Sequence, residues 1–194
     1  MAIAGVAYMK SIKNISLTVI LIVAGFIMAS SANAHLMVSQ QGTINVVGLE
    51  AFVVVSLPVS AFKGVDTNQD GQISMIEFNQ NRKSVTEEIK QNFKLVDRDK
   101  SSYLEDILLS PVQSHHSHDN HFSQLTVMGK FKLKDLSDSF KLKADLFGTN
   151  TKEQTLKIAI IRAKDQFEKT IELSLESSIS DVLLMPSKSS AMQH

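Results

Sequence analysis

The sequence has no cysteine, no tryptophan, only three prolines and no net charge, its 20 Lys and Arg balancing 20 Asp and Glu over 194 residues. Without cysteine there are no disulfides, no thiolate zinc sites and no thiol nucleophile, which leaves oxygen and imidazole as ligands for any metal. A balanced charge offers no cationic field to gather a polyanion, so nucleic acid is not expected as a partner. There is no phosphate-cradling glycine loop, dinucleotide fingerprint, G-x-S-x-G elbow or H-E-x-x-H pair, so nothing points to an enzyme. At 43% hydrophobic residues the chain has the composition of about one globular domain.

A run long enough to span a bilayer is also missing. The most apolar stretch, Ile15 to Ala29, is about 15 residues, short of the roughly 20 a permanent spanning helix needs. Lys10 and Lys13 precede it and the small-residue pattern Ala32-Asn33-Ala34 follows, the three-part layout of a signal peptide over residues 1–34. Cleavage after Ala34 would leave His35 first, in a periplasmic or secreted protein; an uncleaved N-terminal anchor is the alternative. Met9-Lys10-Ser11-Ile12-Lys13 is a more natural charged start than the apolar residues before it, so translation could begin at Met1 or Met9. Removing residues 1–34 takes two lysines and no acid, so the mature part has a formal charge of −2. No later run is long enough to span a membrane.

Residues 66–77 read Asp-Thr-Asn-Gln-Asp-Gly-Gln-Ile-Ser-Met-Ile-Glu, matching D-x-[DN]-x-[DN]-G-x5-E at every specified position. From this chain's own Asp, Asn, Gly and Glu frequencies a chance match is about 2 in 10,000, so accident explains it poorly. The pattern suits Ca²⁺, a hard cation that takes six to eight oxygens. Asp66, Asn68 and Asp70 would offer side-chain oxygens, Gln72 its backbone carbonyl, Ser74 its hydroxyl directly or through water, and Glu77 both carboxylate oxygens. Gly71 would allow the sharp turn, and Ile73 would dock the loop by a short backbone pairing. Over roughly residues 58–83 the chain resembles the EF-hand family, with Phe62 and Phe78 anchoring the flanking helices. That resemblance implies a calcium-binding protein. EF-hands usually pair, and the candidate partner is Asp97 to Leu108, with Asp97, Asp99 and Ser101 at loop positions 1, 3 and 5. Ser102 replaces its glycine and Leu108 its glutamate. The segment is therefore either a vestigial loop or a β-turn joining strands 94–97 and 103–109. Three carboxylates in one unpaired loop imply a dissociation constant on the order of 10⁻⁴ to 10⁻³ M, which suits a structural role better than signalling.

Around the loop, Thr43 to Leu57 reads as two strands about a Gly-Leu-Glu turn. Pro58 suits the first turn of a short helix through Phe62. Met75, Ile76 and Phe78 continue as helix, and Ser84 with Glu87 forms a capping-box pattern that would start a second helix, Val85 to Phe93. Period-two alternation then returns at Phe131/Leu133, Phe140/Leu142/Ala144/Leu146, Leu156/Ile158/Ile160 and Phe167/Ile171/Leu173/Leu175, implying an antiparallel sheet. The last two runs form a hairpin about Ala163-Lys164-Asp165. The expected fold is α+β, an antiparallel β-sandwich-like body with a short helical EF-hand-like insertion, residues 35–186 forming one domain and 187–194 a flexible tail.

A second metal-ligating pattern is Ser114 to His121, in which His115, His116, His118 and His121 could converge on Cu²⁺, Zn²⁺ or Ni²⁺, with His35 as a further two-nitrogen chelate if it becomes the N-terminus. A solvated loop with incidental affinity is the plainer reading, and a periplasmic transition-metal binder the competing one. Lys130, Lys132, Lys134, Lys141 and Lys143 would line one solvated sheet face. A protein partner in the envelope is a third possibility that the residues do not name.

Overall fold

The alternation from Gln41 to Pro58 folds back at Gly48, whose φ of +58° is a left-handed conformation that glycine adopts without steric cost. The resulting strands, β1 (Gln41–Val47) and β2 (Glu50–Pro58), pair antiparallel from Gly42 opposite Val55 to Val47 opposite Glu50. This expected hairpin is present in the computed structural model, which describes residues 38–70, 72–97, 100–113, 121–134 and 140–182. The signal segment 1–34, His35, Gly71, His115, His116, His118 and the tail 187–194 lie outside the described residues. All described elements belong to one unit, Met37–His194.

After β2 come a single 3₁₀ turn (Val59–Ala61), the two-residue β3 (Ile73–Ser74), helix α1 (Met75–Asn92), and then β4 (Phe93–Asp97), β5 (Lys100–Tyr103), β6 (Glu105–Gln113) and β7 (His121–Lys132). The chain closes with β8 (Lys141–Ala144), β9 (Thr155–Arg162), β10 (Phe167–Ser174) and β11 (Ile179–Asp181). One sheet has seven strands, running β10-β9-β1-β2-β7, with β3 and β6 also on β7; the other has four, β11-β8-β4-β5. The architecture is mostly β, α+β in class and sandwich-like, with two sheets sharing a hydrophobic core. Phe93 of the smaller sheet stacks on Phe131 of the larger at 6.1 Å between ring centres. No helix among the described residues is long and apolar enough to cross a membrane.

Several local expectations hold. Arg162 opposite Phe167 opens the β9–β10 hairpin, whose turn ends at Gln166 with φ +54° and is braced by a two-pronged Arg162–Asp165 contact. The segment after Phe93 is a hairpin, β4 against β5 from Lys94 opposite Tyr103 to Asp97 opposite Lys100, which favours the turn reading of that segment over the vestigial loop.

Others are corrected. The expected helix over Val85 to Phe93 is not separate: α1 is one helix of 18 residues, because Phe78, Val85 and Ile89 continue a single apolar stripe through Ser84, which is exposed in mid-helix. The capping box that starts it is Ser74 with Glu77. Pro58 ends a strand, and only one 3₁₀ turn follows it. The large sheet is not wholly antiparallel, since β9 lies parallel to β1, from Gln41 opposite Lys157 to Asn45 opposite Ile161. The five lysines do not share a face: Lys130 and Lys132 are on β7 of the larger sheet, and Lys141 and Lys143 on β8 of the smaller.

Candidate metal-binding loop

Residues 66–77 occupy a break in a sheet lane. β2 runs along β7 until Pro58 lies opposite Gln124, and β3 resumes with Ile73 opposite Phe122 and Ser74 opposite His121. β6 pairs with Phe122 from the other edge of β7, through Gln113, so β3 must lie in the lane that β2 vacated. The segment between leaves and rejoins one lane, and both its ends are held by the same neighbouring strand. The apolar residue expected to dock the loop does so: Ile73 is buried and pairs with the sheet, where in a paired EF-hand a second loop would stand.

Within the loop, short polar side chains bond the backbone two to four residues on. Asp66 Oδ1 and Asn68 Oδ1 both accept from the Asp70 N–H, at 3.2 and 3.1 Å. Asp70 Oδ1 accepts from Gln72 N at 2.8 Å, and its other oxygen accepts from the Asn68 amide at 2.9 Å. Gln69 takes a positive φ of +61°; Gly71, where the sharp turn is expected, lies outside the described residues. Asp66, Asn68 and Asp70 are thus drawn together at the start of the loop.

Glu77 does not join them. Its Oε1 accepts from Thr67 N (2.9 Å) and Thr67 Oγ1 (2.8 Å), and its Oε2 from Ser74 N and Ser74 Oγ (both 2.9 Å). Ser74 Oγ accepts in turn from Glu77 N at 3.3 Å, completing the box that caps α1. The Ser74 backbone N–H, the Thr67 and Ser74 hydroxyls and the Thr67 N–H together hold the Glu77 carboxyl at about 2, against a smaller upward push from burial. It is a buried carboxylate, 7% exposed, at the N-terminus of a helix. Among the described residues, no three His, Asp or Glu side chains are grouped as a metal centre. The donors that are present suit a hard cation: every side chain expected to contribute offers oxygen, and the loop has no imidazole of its own.

Two contacts that the sequence does not signal tie the loop to the body. Glu88, on α1, accepts from the Lys63 backbone N–H; burial pushes its carboxyl upward, and that N–H with the Lys63 ammonium partly offsets the push. Ser60, in the 3₁₀ turn, donates to Glu153 Oε2 at 2.7 Å and accepts from Thr149 N at 3.3 Å. The EF-hand-like segment therefore departs from a helix-loop-helix: a full helix leaves the loop, but a strand and one 3₁₀ turn enter it. Phe78 anchors the exit as expected, edge-on to Phe122 at 5.5 Å, and Phe62 is buried at the entrance.

Of the histidine pattern, the described residues include His121 only. It starts β7 opposite Ser74, and its Nδ1 is buried without a hydrogen-bond partner. The chain matches no protein-family model and no curated protein sequence.

Proposed function

We propose that the protein binds Ca²⁺ through Asp66, Asn68, Asp70, Gln72, Ser74 and Glu77, and that the ion stabilises the fold. The observation that carries this reading is a complete twelve-position oxygen-donor pattern in a segment that leaves β7 at Pro58 and rejoins it at Ile73, its last donor, Glu77, completing the capping box of α1. The bound ion would offset the mutual repulsion of Asp66, Asp70 and Glu77. The chain's own part is to hold Asp66, Asn68 and Asp70 together, and to keep Glu77 ionised beside them in sequence space and fixed at the helix start. For Glu77 to reach an ion with both oxygens it must share or exchange its bonds to Thr67 and Ser74, which is consistent with weak binding. In this reading the protein is exported after loss of residues 1–34 and works by binding, not catalysis, where extracellular calcium is in the millimolar range.

Calorimetric titration of the full chain tests it. With a dissociation constant of 10⁻⁴ to 10⁻³ M, about 10 mM Ca²⁺ should stabilise the fold by about 1.4–2.7 kcal/mol. That is a rise in Tm of roughly 3–10 °C for a domain of this size. No heat at millimolar Ca²⁺, or an unchanged isotherm in the Asp66→Ala/Glu77→Gln variant, would refute it. The unpartnered Nδ1 of His121 keeps a second reading open, a Cu²⁺, Zn²⁺ or Ni²⁺ site using His35, His115, His116, His118 and His121. Stabilisation by Cu²⁺ or Zn²⁺ with none by Ca²⁺ would favour it.

A further inference from the structure

Away from the calcium-type loop, a groove of about 790 Å³ runs between the second half of α1 and the chain crossing from β5 to β6, where it passes from the smaller sheet to the larger. Its size falls among small-ligand sites, which span about 300–1,000 Å³. Tyr103 offers an aromatic wall that is 53% exposed, an uncommon surplus of ring surface on a protein with few aromatics. Opposite it, α1 contributes Glu87, Lys90 and Gln91, and the crossing contributes Glu105 and Asp106. Asp106 sits at a break in the β6–β7 register and has φ +52°, a left-handed conformation that aspartate tolerates better than most residues.

The charges of this groove decide what it can hold. Each carboxylate is already held by a lysine: Glu87 by Lys90 at 3.0 Å, Glu105 by Lys132 at 2.7 Å, and Asp106 by Lys130 at 3.4 Å, a lysine it shares with Glu50 at 2.8 Å. Lys94 lies 5.9 Å from the centre of the Tyr103 ring. With Glu50 counted, four carboxylates face four lysines, so the rim presents anionic acceptors and cationic donors in balance, with no net field to attract an ion. A charged ligand would have to break a pair and leave its partner uncompensated. An apolar ligand would bury the pairs without bonding them. A neutral polyol does neither, because its hydroxyls can donate to the carboxylates and accept from the ammoniums and the Gln91 amide while the pairs stay intact. The face of a sugar ring, lined with C–H bonds, also suits an exposed tyrosine.

We infer that this groove is a binding site for a neutral sugar, with Tyr103 as its stacking wall and Gln91, Glu87, Glu105 and Asp106 as its hydroxyl-bonding rim. The site is separate from the calcium reading and should work with Ca²⁺ chelated. The chain carries no tryptophan and two tyrosines, Tyr8 and Tyr103, so in a Tyr8→Phe background intrinsic fluorescence reports on Tyr103 alone. Full-length protein in EDTA would be titrated with neutral disaccharides (cellobiose, maltose and N,N′-diacetylchitobiose) and followed by tyrosine fluorescence and saturation-transfer NMR. A saturable change with at least one sugar at millimolar concentration is expected. In Tyr103→Ala binding should fall at least about tenfold, the equivalent of losing about 1.4 kcal/mol, while Tyr103→Phe retains it by NMR, and Gln91→Ala should weaken it several-fold. Tyr103 and Gln91 are both exposed, so an unchanged melting temperature will confirm that these variants fold. No saturable signal with any of the three sugars up to about 50 mM, where even a weak site of millimolar dissociation constant would be filled, binding indifferent to Tyr103→Ala, or saturation by agmatine with none by sugars would each overturn the inference.

Discussion

Replacing Glu77 by Gln should destabilise the protein with no metal present, because this carboxylate organises the loop and the helix start together. In the native side chain each oxygen accepts two hydrogen bonds, from the N–H and hydroxyl of Thr67 on one side and of Ser74 on the other. Glutamine has the same shape but one acceptor oxygen, so its NH₂ must face a backbone N–H, while the hydroxyl beside it can rotate to accept. One bond to a charged acceptor is lost outright, worth about 1.5–3 kcal/mol, and the bonds that remain lose their charge. Thr67 is exposed and water can replace part of what it loses, which brings the expected cost to about 2–3 kcal/mol. At roughly 2–4 °C per kcal/mol, Tm should fall by about 4–12 °C. The assay is urea unfolding in EDTA near neutral pH. The pH dependence supplies an independent check. Folding lowers the Glu77 carboxyl from 4.5 to about 2, so its contribution is complete above the ordinary value and disappears as pH falls through the lowered one. The gap between native protein and variant should therefore close between about pH 5 and pH 2. A gap under about 0.5 kcal/mol at neutral pH, within the range of ordinary surface substitutions, or one that persists unchanged into acid, would refute this account.

Ser74→Ala removes the cap hydroxyl and should cost about 1 kcal/mol by the same unfolding assay in EDTA, less than Glu77→Gln because the Ser74 N–H remains. Phe78→Ala empties a fully buried position against Phe122 and should cost about 3–5 kcal/mol, read as a lower urea midpoint. Gly129→Ala would place a Cβ 2.8 Å from Leu104 Cγ and 2.9 Å from the Glu105 carbonyl oxygen, and overpacking there should cost about 1–3 kcal/mol in thermal melts.

What the sequence makes legible is local. Gly48 sets the first hairpin, Ala163 to Asp165 the last, and the alternating residues of β9 and β10 point inward as their pattern requires. The donor order of residues 66–77 is equally visible, because each position is specified by residue type. The errors share a cause: a local signal was outweighed by packing that the sequence does not display. Ser84 with Glu87 spells a helix start as well as Ser74 with Glu77 does, but only Ser74 follows a strand, and the stripe through Phe78, Val85 and Ile89 carries the helix past Ser84. β6 is obscured by Pro111, which is tolerated because among the described residues β6 pairs only with β7 and so lies at a sheet edge. Thr67 and Glu88 carry no motif, and their roles depend on how the loop is folded against α1. Nor does anything in the residues of β1 announce β9 as a parallel neighbour.

That parallel pairing has a consequence for how the protein is made. β1 lies between β2, which follows it at once, and β9, which a ribosome delivers only near the end of the chain. Until Lys157 to Ile161 arrive, one flank of the first strand is an open edge carrying Ile44 and Val46, the kind of surface that recruits other chains. Maturation should therefore be slow and late, completed by the C-terminal hairpin. A nascent chain halted before residue 155 should be captured by holdase chaperones and cut readily by proteases, while one that includes β10 should resist both.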